Sequence, residues 1–130
     1  MRILLDTNAF IWWSDEPEKL SRNALALCRD QNNVLFLSLA SVWEMQIKFQ
    51  LDKLNLDDPL QPMVEKEMRR NNLQILPVQL HHVWTLENLP SHHRDPFDRM
   101  FIAQSQAEAM PILTADDKFS QYEVETIAAR

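Results

Sequence analysis

The sequence of 130 residues fits one domain, residues 1–130, and since no apolar run approaches the roughly 18 residues of a membrane span, we expect a cytoplasmic protein. The chain contains no glycine, which excludes glycine-rich phosphate and dinucleotide loops and the GxSxG nucleophile elbow. A net charge of -6 argues against broad electrostatic attraction to nucleic acid, and the single cysteine excludes both an intrachain disulfide and a cysteine-based zinc cluster.

Short apolar runs alternate with helical patterns along the chain. The runs predict strands at Ile3–Leu5, Val34–Leu37, Leu73–Val78, Ile112–Thr114 and Val124–Ile127. Helices are predicted at Asn8–Trp13, Ser21–Asp30, Ala40–Gln50, Pro59–Arg70, Leu80–Glu87 and Pro96–Ala109. This alternation is typical of an α/β fold in which a central parallel sheet of four to five strands is flanked by helices.

Several predicted helices begin at residues that commonly cap helix N-termini. Asp58 and Asp95 each precede a proline, which favours the first helical position, and both are therefore predicted to cap. Thr7 and Ser21 can cap their own helices, and Asp117 could cap the turn that follows the fourth strand.

Acidic side chains accompany the ends of the predicted strands. Asp6 directly follows the first strand, Glu44 lies about one helical turn after the second, and Asp116 follows the fourth. Asp98 lies in the first turn of the helix that leads into that fourth strand. Because functional groups gather outside the carboxyl ends of parallel strands, we expect these carboxylates to converge.

Four carboxylates that share one cleft repel each other. Either their pKa values rise until some are protonated, or a divalent cation neutralises them. Ligation by oxygen alone suits Mg²⁺ or Mn²⁺. The sequence therefore predicts a metal-dependent hydrolytic site.

Each acid also has an ordinary structural interpretation. Asp6 could be a helix N-cap or a turn residue. Glu44 matches a capping box with Ser41 and could form an exposed ion pair with Lys48 on the same helix. Asp98 lies in a first helical turn, where the helix dipole favours a carboxylate.

The candidate contacts for a substrate phosphate are basic residues within a few positions of these acids: Lys48, Arg94, Arg99 and Lys118. The histidine pairs His81-His82 and His92-His93 are not predicted to bind zinc. Adjacent residues do not face the same way on a helix, and no spacing here matches a known set of zinc ligands.

Four segments, taken together and in order, resemble the PIN-domain ribonucleases and are most similar to VapC-type toxins. They are Leu4-Leu5-Asp6-Thr7-Asn8, Ser41-Val42-Trp43-Glu44 with Lys48, His93-Arg94-Asp95-Pro96-Phe97-Asp98-Arg99, and Leu113-Thr114-Ala115-Asp116. The resemblance covers nearly the whole chain. It implies a PIN fold and endonucleolytic cleavage of RNA with Mg²⁺ or Mn²⁺.

The resemblance also implies roles for individual residues. The family's acidic quartet falls on Asp6, Glu44, Asp98 and Asp116, with Asn8 and Thr114 as polar supports and Asp95 as a further acid at the edge of the site. Asp6 and Asp98 are the first choices as direct metal ligands, Asp116 would complete or bridge the site, and Glu44 would act directly or through water. Toxins of this family are usually homodimers inhibited by a cognate antitoxin, so both kinds of partner are implied.

Three other classes of protein remain as alternatives. A haloacid-dehalogenase-like phosphatase needs a second aspartate two residues after the first, where this chain has Asn8. A phosphorylation-receiver domain needs a phosphoacceptor after the third strand, where Leu76-Pro77-Val78 supplies none. In a noncatalytic interaction module, the acids would be helix caps and solvated edges.

Overall fold

A computed structural model describes residues 1–130 as a five-stranded parallel sheet with helices on both faces. The strands are β1 (Arg2–Leu5), β2 (Val34–Ser38), β3 (Gln74–Leu76), β4 (Ile112–Thr114) and β5 (Thr126–Ala128). The helices are α1 (Thr7–Asp15), α2 (Arg22–Arg29), α3 (Leu39–Gln50), α4 (Leu60–Arg70), α5 (Leu80–Thr85) and α6 (Pro96–Glu108). Short 3-10 helices lie at Pro17–Lys19, Leu86–Asn88 and Asp117–Gln121. The α/β class and the central parallel sheet are confirmed.

The strand order, β3-β2-β1-β4-β5, places β1 at the centre of the sheet. The chain leaves β1 toward β2 and β3, and later returns to place β4 on the opposite side of β1. This reversal opens a crevice outside the carboxyl ends of β1 and β4, the usual position of a site in such a sheet. Residues that directly follow these two strands therefore border the same crevice.

Both faces of the sheet are buried, as a parallel sheet requires. Ile3 and Leu5 of β1 pack in one apolar layer with Phe10 of α1, and Leu4 between them packs in the other layer with Phe101 of α6. The alternation follows from the two-residue period of a strand. Helices α1, α2 and α4 cover the first face, and α6 covers the second. No helix combines the length and the apolar character needed to cross a lipid bilayer.

Two of the predicted helix caps are confirmed. The side chain of Ser21 accepts a hydrogen bond from the backbone N–H of Ala24 at the start of α2, at 3.0 Å. Asp95 accepts one from the N–H of Phe97 at the start of α6, at 2.8 Å, with Pro96 in the first turn. Both caps satisfy N–H groups that have no partner within their helix.

Of the two possible caps of α1, Asp6 is the cap and Thr7 is not, and the prediction that Asp58 caps α4 is wrong. Asp6 is the cap of α1, so Thr7 becomes the first helical residue and its hydroxyl is free for a tertiary contact. Helix α4 begins one residue later than expected, with Pro59 at the cap position and no side-chain hydrogen bond. The N–H groups at the start of α4 therefore gain nothing from Asp58.

The predicted capping box in α3 is also wrong. The helix begins at Leu39, and Ser38, the last residue of β2, accepts a hydrogen bond from the N–H of Ala40 at 3.1 Å. Ser41 consequently lies within the helix rather than at its start, so its hydroxyl and Glu44 serve other contacts.

Two predicted strands are misplaced at their ends. β3 stops at Leu76, because Pro77 has no N–H to donate to a neighbouring strand. β5 begins at Thr126, since the N–H of Val124 is used within a turn, where it donates to the carbonyl of Tyr122 at 2.9 Å.

Candidate active site

Five acidic side chains lie in one polar cavity of about 160 Å³ beyond the carboxyl ends of the central strands. They are Asp6 at the end of β1, Glu44 on α3, Asp95 and Asp98 at the start of α6, and Asp116 after β4. Thr7, Asn8 and Lys48 complete the lining, and no apolar side chain takes part. The fold thus joins the four predicted ligands, which come from four separate segments of the chain.

Asp6 is buried, and each of its oxygens accepts a hydrogen bond. Oδ1 accepts from the backbone N–H of Ala9 at 2.7 Å, and Oδ2 accepts from Thr114 Oγ1 at 2.5 Å. Burial raises the pKa of Asp6 to about 6, with smaller contributions in the same direction from Asp116 and Glu44, while the two hydrogen bonds oppose the rise. Asp6 is therefore both the cap of α1 and a carboxylate directed into an acidic cavity.

Glu44 is also buried, with 5% of its surface exposed. Its Oε1 accepts a hydrogen bond from Thr7 Oγ1 at 2.6 Å, and its Oε2 lies 3.1 Å from Lys48 Nζ. Because Thr7 gives its proton to Glu44, the 2.7 Å contact between Thr7 Oγ1 and Ser41 Oγ requires Ser41 to donate. The predicted pair with Lys48 is present, but its acidic partner is held inside the protein rather than on an exposed helix face.

Asp98 is an acid whose negative charge receives little compensation from the surrounding protein. Burial raises its pKa to about 7, and the charges of Asp95, Glu44 and Asp6 act in the same direction, with only His93 opposing them. No hydrogen-bond donor contributes to the environment of its carboxylate. A cation placed beside Asp98 would therefore gain more from this carboxylate than from one already paired.

Asp116 is held by donors on both of its oxygens. Oδ1 accepts from the backbone N–H of Lys118 at 2.9 Å, and Oδ2 accepts from His93 Nε2 at 3.0 Å. Partial burial works against ionisation, but these hydrogen bonds and the neighbouring positive charges hold the pKa of Asp116 below its ordinary value. Asp116 also caps the 3-10 helix Asp117–Gln121, so the prediction that Asp117 would cap it is wrong.

Thr114 connects the two strand-end acids. Its hydroxyl donates to Asp6 and accepts the backbone N–H of Asp116 at 3.0 Å. Asn8 is an exposed residue at the edge of the cavity. The structure thus places both predicted polar supports at the acidic cluster, Thr114 by direct contact and Asn8 in the lining.

The four basic residues proposed for phosphate contact occupy different places. Lys48 lines the cavity, whereas Arg94 and Lys118 are exposed and lie outside the lining. Arg99 turns away from the cavity, because its guanidinium donates to the carbonyl oxygens of Pro90 at 2.9 Å and Leu86 at 3.5 Å. We therefore correct the expectation for Arg99, which ties α6 to the preceding loop.

Sequence reasoning did not identify Thr7, His93 and Tyr122 as parts of this site. A ring nitrogen of His93 lies within 4.8 Å of carboxylate oxygens of both Asp98 and Asp116, and its Nδ1 lies 2.9 Å from the Tyr122 hydroxyl. Because His93 lies in the same short segment as Asp95 and Asp98, the sequence could have indicated that it belongs to the site. Tyr122 gave no such signal, because it reaches the site only through a turn of the 3-10 helix.

A second group of titratable side chains lies between α5 and α6. His81 Nε2 and His82 Nε2 approach the same oxygen of Glu108, at 3.6 and 3.0 Å. The expectation that adjacent histidines face different ways is therefore wrong for this pair.

The polarity of the hydrogen bonds at His82 nevertheless disfavours a metal there. His82 Nδ1 accepts the backbone N–H of Gln79 at 3.0 Å, so its Nε2 carries the ring proton and donates to Glu108. A metal on Nε2 would move that proton to Nδ1, where it would face another N–H. The contact is a partly buried hydrogen bond that joins the two helices.

Comparison with known proteins defines the family. The family model for the PIN domain matches residues 3–125, and the chain belongs to the PIN-domain family. No curated protein matches the sequence.

Solved structures share the fold. A chain of the VapBC2 complex from Rickettsia felis, bound to a promoter DNA fragment, has a TM-score of 0.75 and 18% identity, with 98% of each chain covered. FitAcB from Neisseria gonorrhoeae gives a TM-score of 0.66 and 16% identity, over 98% of this chain and 97% of that one. A toxin–antitoxin complex from Klebsiella pneumoniae gives 0.60 and 14%, with 98% of each chain covered. The chain therefore has the PIN fold.

Proposed function

We propose that this protein is a VapC-type toxin, a metal-dependent endoribonuclease that cleaves RNA phosphodiester bonds with Mg²⁺ or Mn²⁺. One observation carries the proposal: Asp6, Glu44, Asp98 and Asp116 share a single cavity at the switch point of a parallel sheet. The resemblance of the four surrounding segments to the PIN-domain ribonucleases supports the same reaction.

The residues of the cavity fit a hard divalent cation. Burial, with smaller contributions from neighbouring carboxylates, raises the pKa values of Asp6 and Asp98 to about 6 and about 7, so a cation bound beside them would stabilise their charged forms. Their oxygens match the ligand preference of Mg²⁺ and Mn²⁺. Asp6, Asp98 and Asp116 would hold the ion, with Glu44 acting directly or through water. A bound ion would supply Lewis acidity and charge neutralisation for phosphodiester hydrolysis.

The other residues of the site prepare it for this role. Thr114 and the N–H of Ala9 fix the orientation of Asp6, while Thr7 and Lys48 fix that of Glu44. Lys48 is the one basic residue in the lining and its side chain is about half exposed, so we assign its ammonium group to contact with a substrate phosphate. Asp95 is engaged in capping α6, so we assign it an influence on Asp98 rather than direct ligation.

Two kinds of protein partner belong to the proposal. The structures from R. felis and K. pneumoniae are described as VapBC2 and as a toxin–antitoxin complex, and their likeness in fold supports a cognate antitoxin for this chain. A homodimer and a cytoplasmic location follow from the resemblance to VapC-type toxins.

Purified protein tests the chemistry directly. The wild type is incubated with labelled single-stranded RNA in EDTA, Mg²⁺ or Mn²⁺, beside Asp6→Asn and the control Asp117→Asn, which changes an exposed acid outside the cavity. We expect internal cleavage only with metal, loss of cleavage in Asp6→Asn and wild-type rates in Asp117→Asn. Wild-type rates from a folded, metal-supplied Asp6→Asn protein would contradict the assignment.

A test in cells separates a toxin from the alternatives. The chain is expressed alone and with its genomic neighbour, with and without Asp6→Asn, while growth arrest and RNA cleavage are scored. Toxicity relieved by both the neighbour and the substitution is the expected result. Absence of binding at millimolar Mg²⁺ or Mn²⁺ would favour a noncatalytic module, and metal-dependent hydrolysis of a phosphomonoester without RNA cleavage would favour a phosphatase.

A further inference from the structure

His93 joins two separate parts of the acidic site. It lies in the loop before α6, the helix that carries Asp98, and its Nε2 is 3.0 Å from Oδ2 of Asp116, which follows β4. Only 6% of the His93 side chain is exposed. A charged oxygen of Asp116 accepts but cannot donate, so Nε2 is the donor. The hydrogen bond therefore connects the α6 side of the cavity with the β4 side.

The opposite edge of the imidazole ring is also fixed. Nδ1 lies 2.9 Å from the hydroxyl of Tyr122, and the ring of Phe119 meets the His93 ring nearly edge-on, at 4.9 Å and 72°. The Tyr122 hydroxyl can donate to Nδ1 or accept a proton from it, so this contact holds the ring in place in either case. Phe119 and Tyr122 are both buried, in or directly after the 3-10 helix that Asp116 caps. The same short segment therefore carries the Asp116 carboxylate and the two aromatic residues that clamp the His93 ring.

We infer that His93 is a positioning residue, which holds the Asp116 carboxylate at the distance from Asp98 that a shared metal ion needs, while the hydrogen bond to the Tyr122 hydroxyl holds the His93 ring in place. The inference rests on the proposed function and extends it to a residue that touches neither metal nor substrate. A ring nitrogen of His93 and one carboxylate oxygen each of Asp98 and Asp116 lie within 4.8 Å of one another. Two oxygens on one octahedral Mg²⁺ or Mn²⁺ ion are separated by roughly 3 Å when adjacent and 4 Å when opposite.

Asp116 depends on this contact because its other restraint is purely local. Oδ1 is held by the N–H of Lys118, two residues along the chain, which does not fix the carboxylate relative to α6. Without the Nε2 donor, Oδ2 is free to rotate away from Asp98. Partners that orient a ligating group typically contribute about 10- to 100-fold to metal affinity or activity.

Two substitutions separate the donor from the ring. His93→Gln retains a terminal N–H that can reach Asp116, whereas His93→Leu fills similar space without a donor. His92→Leu is the matched control, because the exposed neighbour contacts the Tyr122 ring edge-on at 4.9 Å and not Asp116. Mn²⁺ affinity is measured from the electron paramagnetic resonance of free Mn²⁺, and thermal unfolding monitored by circular dichroism reports whether each variant is folded.

We expect His93→Leu to weaken Mn²⁺ binding by about 10- to 100-fold, His93→Gln to recover most of the affinity and His92→Leu to bind like the wild type. Saturating Mn²⁺ should restore most of kcat in His93→Leu, with an unchanged KM for RNA. Wild-type Mn²⁺ affinity in a folded His93→Leu protein would overturn the inference. Equal losses in His93→Gln and His93→Leu would also overturn it, since they would mean that the imidazole itself is the ligand.

Tyr122→Phe tests the clamp without changing the histidine. Long-range ¹H–¹⁵N correlation spectra of the metal-free protein should show a proton on His93 Nε2 in the wild type and in Tyr122→Phe, because Asp116 Oδ2 can only accept. The variant should nevertheless bind Mn²⁺ more weakly, because its histidine ring has lost one of its restraints. An Nδ1–H tautomer in the wild type would overturn the hydrogen bond from His93 to Asp116, whether or not the protein cleaves RNA. Wild-type Mn²⁺ affinity in a folded Tyr122→Phe protein would refute the role of Tyr122. If the wild type binds no Mn²⁺, the proposed function and this inference fail together. If the wild type binds Mn²⁺ and the His93 variants bind it equally well, the function stands and the inference fails.

Discussion

Thr114 donates a 2.5 Å hydrogen bond to Asp6. Thr114 is the last residue of β4 and Asp6 directly follows β1, so the contact joins the carboxyl ends of two neighbouring strands. The same hydroxyl accepts the N–H of Asp116, so one small side chain orients both strand-end acids. We predict that Thr114→Val, which keeps the shape and removes the hydroxyl, lowers Mn²⁺ affinity or RNA cleavage by about 10- to 100-fold. Isothermal titration with Mn²⁺ and cleavage rates at fixed metal measure the effect.

Thr114→Ser is the control for this prediction, because it keeps the donor and loses only a methyl group. It should stay close to the wild type in both measurements. Equal losses in the serine and valine variants would assign the effect to packing in β4 and not to the hydrogen bond.

Asp98→Asn is predicted to stabilise the metal-free protein at alkaline pH. Burial, with the adjacent charge of Asp95, raises the pKa of Asp98 from 3.8 to about 7. Between these values the folded state binds more protons than the unfolded state, so the free energy of unfolding falls as the pH rises, and above pH 7 the loss is complete. Removing the charge should restore roughly 1 kcal/mol at pH 8, after allowance for the partial exposure of the side chain, and almost nothing at pH 4.

Urea unfolding in EDTA at the two pH values measures this difference. Addition of Mn²⁺ should then stabilise the wild type and have little effect on Asp98→Asn, because a ligand stabilises a protein only through binding to the folded state. A variant less stable than the wild type in EDTA at pH 8 would show that Asp98 is not under electrostatic strain.

The elements of the sheet could be predicted from the sequence because β1, β2 and β4 are nearly continuous apolar runs, which both faces of a parallel sheet require. The strand order could not be predicted from the sequence, since no local pattern indicates that β4 returns to pair with β1. The convergence of Asp6 and Asp116 was nevertheless predictable, because any parallel sheet gathers its carboxyl ends at one edge.

The contacts around the acids were harder to predict. Thr7 looked like a helix cap because its type suits that position, but Asp6 satisfies the same helix end and leaves the Thr7 hydroxyl to Glu44. The misreading of Ser41 has the same origin, since Ser38 caps α3 three residues earlier. Whenever two nearby residues can both satisfy a helix end, the sequence does not say which of them remains for the site.

Glu108 is predicted to stabilise the packing of α5 on α6 through His82. The His82 side chain is fully buried, and its Nε2–H has Glu108 as acceptor at 3.0 Å. Glu108→Leu leaves that donor buried without an acceptor and should cost roughly 1–3 kcal/mol of unfolding free energy, whereas Glu108→Gln keeps an acceptor oxygen and should cost less. Urea unfolding measures both variants, and equal losses would contradict the role of the hydrogen bond.

The hydrogen bond between His82 and Glu108 also makes the free energy of unfolding depend on pH. The hydrogen bond from His82 is the main reason that the pKa of Glu108 lies below its ordinary value of 4.5. The stabilisation is therefore fully present above pH 4.5 and is lost as the pH falls through the lower value of the folded state. In Glu108→Gln this acid-dependent component should be absent, while RNA cleavage at neutral pH should be unchanged, since Glu108 does not line the acidic cavity.

Ala109→Gly is predicted to stabilise the fold at the end of α6. Ala109 has φ 52 and ψ 45, the left-handed conformation, and the N–H of Met110 donates to the carbonyl of Ser105 at 3.1 Å to close a Schellman motif. In a chain without glycine, this position carries a Cβ at a cost of roughly 1–2 kcal/mol. Glycine removes that cost but adds freedom to the unfolded chain, so the expected net gain is roughly 0.5–1 kcal/mol.

Ala107→Gly is the matched control, because Ala107 is equally exposed but lies within α6, where glycine costs roughly 1 kcal/mol. The two substitutions should therefore shift the midpoint of urea unfolding in opposite directions. Asp52 and Asn72 share the left-handed conformation, with φ 54 at both, and tolerate it better than alanine because their short polar side chains suit this region. A destabilised Ala109→Gly protein would show that the Cβ of Ala109 makes contacts worth more than the strain it carries.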